Sequence, residues 1–210
     1  MTAELTLYTD ASFASPYAMS VFVTLTEKDL PFALKTVDLD ASDHNEAAYA
    51  RKSLTGRVPT LAHGTFHLSE SSAIAEYLDD AFPAPGHRAV YPSESQARAR
   101  ARQVQAWLRS DLLAIREERP TSIIFLKSPV NRPLSERGAA AAAKLLAAAD
   151  ALVGADAGPM LGDWCVADTD LALMLMRLIA NGDPVPTRLK LYAERQWERH
   201  AVQQWVAKPR

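Results

Sequence analysis

Leu5-Thr6-Leu7-Tyr8-Thr9-Asp10-Ala11-Ser12-Phe13-Ala14-Ser15-Pro16-Tyr17-Ala18-Met19-Ser20-Val21-Phe22 is the stretch whose reading settles the first half of the chain. Leu5–Tyr8 is an apolar run of strand character. From Tyr17 onward Ala18, Met19, Val21, Phe22 and Leu25 fall at helical spacing, which predicts a helix over Tyr17–Lys28. Ser12–Pro16 is then a strand-to-helix turn with Ser15 at the helix N-cap. A hydroxyl there faces the same space as unpaired backbone N–H groups and the positive end of the helix dipole, a setting that favours an anion.

Outward from that turn, Ala33–Val37 is a second strand candidate, and the strand-helix-strand unit favours a right-handed crossover with parallel pairing. His44–Leu54 reads as irregular or helical. Thr60–His63, Gly64-Thr65 and Phe66–Leu68 read as a short hairpin, and Glu70–Leu78 as a closing helix. The order β-α-β-α-β-β-α is a thioredoxin-like α/β arrangement, expected over residues 1–81. Phe82-Pro83-Ala84-Pro85-Gly86 cannot continue a helix and opens a linker expected over 82–94.

The remainder, 95–210, carries almost no strand signal and is expected to be all-α. Ser95–Glu118 has an apolar stripe at Ala97, Ala101, Val104, Leu108, Leu112 and Ile115 that predicts one long helix. Ser135–Val153 is alanine-rich and helix-prone. Asp168–Ala180 is almost wholly apolar, as a buried central helix would be, and Gly182-Asp183-Pro184 marks its end. Leu189–Val206 closes the bundle.

With 210 residues the chain can bury a core without disulfides, and 48% apolar with 23% charged residues is ordinary for a globular protein. The single cysteine, Cys165, cannot form an internal disulfide and suits a reducing compartment. No basic leader precedes an apolar stretch at the N-terminus, and no run approaches the roughly 18 apolar residues of a membrane span, so a cytoplasmic protein without membrane contact is expected. A net charge of −2 gives no field that would draw nucleic acid. Arg98, Arg100 and Arg102 alternate with Ala ahead of Asp111, Glu117 and Glu118, as on a solvated helix face. His63 and His67 lie across the hairpin with no Cys or carboxylate beside them, so no metal site is expected.

The turn Ser15-Pro16-Tyr17, Val58-Pro59 ahead of the hairpin and Glu70-Ser71 opening a helix, in that order and spacing, resemble the glutathione transferase family over nearly the whole chain. The turn looks most like the serine-type classes, such as the plant tau class. The resemblance implies that Ser15 hydrogen-bonds the glutathione sulfur, with Ser12 as the alternative. It also implies that Val58, before a cis Pro59, pairs its backbone with the cysteinyl part of the tripeptide, and that Glu70 and Ser71 bind the γ-glutamyl end. His44 and Arg57 stand where the family often places a base for the glycine carboxylate. Phe13 and Arg109 are candidates for the electrophile pocket, although Arg102, Arg109 and Arg116 recur every seven residues on one helix face, which favours a solvated or intersubunit stripe. The family's buried helix opens with Ser or Thr followed by Asp at the third position; here Cys165 replaces the hydroxyl and Asp168 matches.

A free thiol of pKa about 8.5 is only about 3% ionised at pH 7. Lowering that value by about two units takes roughly 2.7 kcal/mol and raises the thiolate fraction about 25-fold. One charge-assisted hydrogen bond gives about 1.5–3 kcal/mol and a helix N-terminus about 0.3–2, so Ser15 at the cap suffices without a buried base. The turn Ala11–Pro16 has no cysteine, which argues against protein thiol–disulfide exchange. The resemblance therefore implies a transferase that conjugates glutathione, a co-substrate rather than a cofactor, to small electrophiles in detoxification. It further implies reduction of organic hydroperoxides and a homodimeric assembly. The alternatives are a non-catalytic binding protein of the same fold, and a glutathione-dependent isomerase or dehalogenase.

Overall fold

The computed structural model describes residues 4–210; the start of the chain, where no basic leader is expected, lies partly outside the described residues. Two compact units divide between Tyr91 and Pro92, and Gln204–Arg210 belong with the first. That last segment thus groups with the first unit, although it follows the helical part in sequence.

The first unit is the thioredoxin-like arrangement. Strand β1 (Leu5–Asp10) leads into α1 (Pro16–Glu27), then β2 (Phe32–Val37), a 3-10 turn at Asp43–Asn45, a short α2 (Ala47–Ala50), β3 (Thr60–His63), β4 (Phe66–Ser69) and α3 (Ser71–Ala81). The sheet order is β2-β1-β3-β4. β1 and β2 run parallel with Leu5 beside Phe32 and Asp10 beside Val37, joined by the crossover through α1. β3 runs antiparallel to β1 with Tyr8 beside Thr60, and β4 antiparallel to β3 with Thr60 beside Ser69. Leu7, Leu61, Met19, Val21, Leu25, Ile74 and Leu78 are fully buried, so the inward faces of the sheet, α1 and α3 make one core.

The second unit is helical: α4 (Ser95–Ser110), α5 (Leu113–Glu118), α6 (Ser122–Phe125), α7 (Glu136–Leu152), α8 (Val166–Ile179), α9 (Thr187–Trp197) and most of α10 (His200–Val206). α8 is the buried element, with Leu171, Ala172 and Leu175 wholly enclosed and α4 and α9 packed on it. Asp168 accepts the Cys165 N–H at 3.0 Å, the Met160 N–H at 2.9 Å and the Tyr192 hydroxyl at 2.9 Å, so the carboxylate half of the capping box is formed. The Cys165 sulfur itself lies 3.4 Å from that carboxylate. Among the described residues no helix is long and apolar enough to cross a membrane.

Two helices expected to be continuous are broken. The stripe over Ser95–Glu118 is interrupted at Leu112, which sits in the left-handed region at φ +58. Asp111 fixes the break: its carboxylate accepts the Leu112 N–H at 2.8 Å and the Trp107 indole N–H at 3.0 Å, and the Arg116 guanidinium caps the Leu108 carbonyl at 2.9 Å. Apolar spacing runs through this kink unchanged because Leu112 remains buried. The second break separates α9 from α10 at Glu198 and Arg199, where the expected helix over Leu189–Val206 is not continuous.

Candidate functional site

Three chain segments leave the sheet of the first unit at one end. The register that sets Tyr8 beside Thr60 and Thr60 beside Ser69 puts the exit of β1, the entry of β3 and the exit of β4 together. Asp10 and the turn to Ser15 follow the first, Val58-Pro59 precedes the second, and Glu70-Ser71 follows the third. The sheet therefore gathers residues far apart in sequence.

Ser15 is the N-cap of α1 with extended backbone (φ −70, ψ 116), the conformation that both an N-cap and a residue ahead of proline adopt, and Pro16 fills the first helical position. Its Oγ accepts the Ala18 N–H at 3.2 Å, and among the described residues no acceptor takes its own proton. Ser12 differs: its Oγ donates to Asp10 at 2.8 Å. Of the two serines, Ser15 is the one with a hydroxyl proton left to give.

Asp10 organises this turn, a role the sequence reading missed. Its carboxylate is only 4% exposed and accepts from Thr9 Oγ1 at 3.0 Å, Ser12 Oγ at 2.8 Å, Ala14 N at 2.6 Å and Ser15 N at 3.1 Å. The signal was present in Asp10-Ala11-Ser12, a pattern of side-chain-to-backbone turn formation. Phe13 closes the turn at φ +50.

The Val58-Pro59 peptide is cis. A polar network anchors the residue before it: the Arg57 carbonyl accepts from Tyr49 Oη at 2.9 Å, Ser53 Oγ at 3.0 Å and Thr60 Oγ1 at 3.2 Å. Ser53 Oγ also meets Ser69 Oγ at 3.1 Å, which ties the turn to the end of β4. Burial raises the Tyr49 phenol above its ordinary value, so it stays a neutral donor. Among the described residues neither backbone polar group of Val58 has a hydrogen-bond partner, which leaves it open to an added extended chain.

Glu70 stands at the N-cap of α3 at φ +73 and ψ 114, with an exposed carboxylate that has no partner among the described residues. Backbone held in that region by an L residue is strained, a condition that clusters at ligand sites. Ser71 is buried as the first residue of α3. Arg57 is exposed with its guanidinium unengaged among the described residues. His44 lies in the 3-10 turn, half-buried, and its buried Nδ1 lacks a partner there. Lys52, which sequence reasoning did not single out, places its ammonium 5.2 Å over the Tyr8 ring.

Arg109 belongs to the second unit, where it pairs with Asp170 at 3.0 Å and caps the Gln105 carbonyl at 3.0 Å. Its charge holds α4 to α8. His63 Nδ1 meets Tyr77 Oη at 2.7 Å, and among the described residues no three His, Cys, Asp or Glu side chains gather as metal ligands would.

Residues 94–209 match the family model for the glutathione S-transferase C-terminal domain, and residues 14–81 the one for the glutathione S-transferase N-terminal domain. Human glutathione S-transferase theta-1 is 34% identical over 131 residues, which are 60% of this chain and 53% of that protein. Human theta-2 is 38% identical over 88 residues, 42% of this chain and 35% of that protein. The chain thus spans about a third to a half of the length of these curated relatives. They are theta-class, which points away from the tau class expected from the Ser15 turn. A solved glutathione transferase homologue from Burkholderia gl BGR1, with bound glutathione, is 50% identical with a TM-score of 0.80, covering 97% of this chain and 96% of that one. Human glutathione transferase theta-2, in complex with glutathione and an unknown ligand, is 25% identical with a TM-score of 0.74, covering 96% and 85%. On the fold, the matched domains and these relatives together, this chain belongs to the glutathione S-transferase family.

Proposed function

We propose that this protein is a serine-type glutathione transferase in which Ser15 holds the bound glutathione sulfur as its thiolate. The carrying observation is the Ser15 hydroxyl at the α1 N-cap, its oxygen engaged by Ala18 N and its proton uncommitted. An Oγ–H aimed at sulfur, with the helix N-terminus behind it, stabilises the anion selectively. The open backbone of Val58 would pair with the cysteinyl residue, Glu70 would take the γ-glutamyl ammonium, and the Ser71 end of α3 its carboxylate. Arg57 and His44 would meet the glycine carboxylate. The glutathione bound in the Burkholderia homologue, half identical in sequence, supports the choice of ligand.

In the transfer step the thiolate attacks an electrophilic carbon, a carbon–sulfur bond forms, and the leaving group departs with the bonding electron pair. With a hydroperoxide, the thiolate attacks the terminal oxygen, the O–O bond breaks to give an alcohol and a glutathione sulfenic acid, and a second glutathione condenses with it to the disulfide and water. We extend the reading to a homodimer in a reducing compartment, which light scattering of the native protein and cell fractionation test. The functional test is turnover of 1-chloro-2,4-dinitrobenzene and of cumene hydroperoxide with glutathione. Activity that falls at least tenfold in Ser15→Ala supports the assignment, and activity unchanged by that substitution refutes it. Retention on immobilised glutathione with no turnover of either substrate would mark a non-catalytic binding protein.

A further inference from the structure

The peptide unit between Phe13 and Ala14 is gripped at both poles. Its N–H donates to the Asp10 carboxylate at 2.6 Å, and its carbonyl accepts from the Arg210 guanidinium at 3.3 Å. Asp10 is two residues beyond Tyr8 of the sheet register; Arg210 is separated from Phe13 by 197 positions. The plane so held lies one peptide ahead of the one that leads into Ser15, the helix cap.

The segment that delivers Arg210 is itself fixed. Trp205 is fully buried, its ring 5.6 Å from Phe13 in edge-to-face geometry and 5.4 Å from Phe22 of α1. Lys208 Nζ lies 5.2 Å over the Phe22 ring. Arg210 also donates to the carbonyls of Trp205 at 3.1 Å, Val206 at 2.6 Å and Lys208 at 3.1 Å, which closes the end of α10. Phe13 stands at φ +50, a conformation that few non-glycine residues adopt and that surrounding contacts must hold. Asp10 supplies that support from the sheet, and the returning segment supplies it from the opposite side.

We propose that Gln204–Arg210 is a strap that positions the Ser15 turn, with Trp205 wedged against Phe13 and Arg210 clamping the Phe13 carbonyl. Arg210 is a positioning residue: it acts on the sulfur through the orientation of Ser15. This rests on the assignment of Ser15 above and deepens it. The Asp10 carboxylate and the Arg210 guanidinium sit at the positive and negative ends of one peptide dipole, so each strengthens the other's bond. Removing the guanidinium frees the carbonyl to rotate and leaves the Asp10 side without its counterweight. The γ-glutamyl and cysteinyl contacts lie on other segments, so tripeptide affinity is set elsewhere.

The test uses the intact protein saturated with glutathione, 1-chloro-2,4-dinitrobenzene as the electrophile, and the ultraviolet absorbance of the bound thiolate at neutral pH. Arg210→Ala is expected to lower kcat by about five- to tenfold, the worth of one hydrogen bond, with KM for glutathione changed less than about twofold. The thiolate absorbance should fall with kcat, and Arg210→Lys, which keeps a donor and a charge, should recover part of both. Trp205→Leu, provided it melts as a folded protein, should reproduce the loss with Arg210 still present. Wild-type kcat and wild-type thiolate absorbance in Arg210→Ala would overturn the strap, as would an equal loss in Arg210→Ala and Arg210→Lys confined to KM. Ser15→Ala is measured alongside: full thiolate there counts against the Ser15 assignment, while the strap is still judged on the Arg210 variants against wild type.

Discussion

Asp10 accepts the backbone N–H of Ser15 at 3.1 Å, so the last residue of β1 grips the cap residue of α1 across the turn that joins them. The carboxylate is nearly buried and engages three donors of that turn together with Thr9 of β1. Turn conformation and cap orientation are therefore one structural event, set by a side chain that never has to touch a ligand.

Replacing Asp10 by Ala leaves the Ala14 and Ser15 amides without their acceptor. At about 1–3 kcal/mol for each buried donor left unpaired, chemical denaturation should show a loss of about 2–4 kcal/mol. Asp10→Asn keeps one carbonyl oxygen and should lose about half as much. Equal stability of wild type and Asp10→Ala would mean that water replaces the carboxylate.

Glu70 separates stability from binding. At φ +73 it carries strain that glycine would not, so Glu70→Gly should raise the unfolding free energy by about 1 kcal/mol. The same variant removes the carboxylate assigned to the γ-glutamyl ammonium, and its KM for glutathione should rise by tenfold or more, as should that of Glu70→Gln, since a charge-assisted hydrogen bond is worth about 1.5–3 kcal/mol. A thermal melt and a glutathione titration on both variants check the two halves separately. Glu70→Gly should be the more stable of the pair and Glu70→Gln close to wild type.

The acid side of the stability curve follows from carboxylates held below their ordinary range. Hydrogen bonding to the Lys144 ammonium, then to the Leu112 N–H and the Trp107 indole, holds Asp111 down to about 2. Glu118 is lowered chiefly by the Ser135 hydroxyl, and Glu94 by the N–H groups of Gln96 and Ala97. A group with a folded value below its unfolded value stabilises above the unfolded value, and that contribution disappears as pH falls through the folded one. For Asp111 the window runs from about pH 4 down to about 2. Asp168 has the opposite sign: burial raises it, so the folded state holds its proton more tightly and its ionisation costs stability as pH rises through the raised value. Unfolding free energies measured between pH 5 and 2 should fall less steeply in Asp111→Asn than in wild type.

Cys165 is 1% exposed, and burial, with the adjacent Asp168 carboxylate, pushes its thiol well above the ordinary range. A thiol kept neutral is a poor nucleophile. Aromatic disulfide reagent should leave it unmodified in the native protein at pH 8 and titrate it fully in denaturant. Rapid native labelling would show that α8 opens at its N-terminus.

What could be read from the sequence was what local chemistry decides. Ser15 before Pro16, Asp168 three residues after Cys165, and Gly64-Thr65 between two short apolar runs each carry their structure within a few residues, and the caps of α1 and α8 and the β3–β4 hairpin fall where those signals lie. The break at Leu112 was not legible, because a leucine in the left-handed region gives no compositional sign and its burial preserves the helical period. Nor was the job of Arg109: spacing places it on a helix face, while its ion pair with Asp170, 61 residues away, is a tertiary fact. The return of Trp205 and Arg210 to the Ser15 turn is likewise decided by packing across almost the full length of the chain. Asp10 lay between these cases, with a local motif visible and four bonds that only the folded turn reveals.

Ionisation of glutathione's thiol in the bound state is the property that Ser15 controls most directly. Titrating its thiolate absorbance on the wild-type protein and on Ser15→Ala should give a value about two units below that of free glutathione for the first and within about half a unit of free glutathione for the second. Coincident titration curves for the two proteins would contradict the claim that the hydroxyl at the head of α1 keeps the sulfur charged.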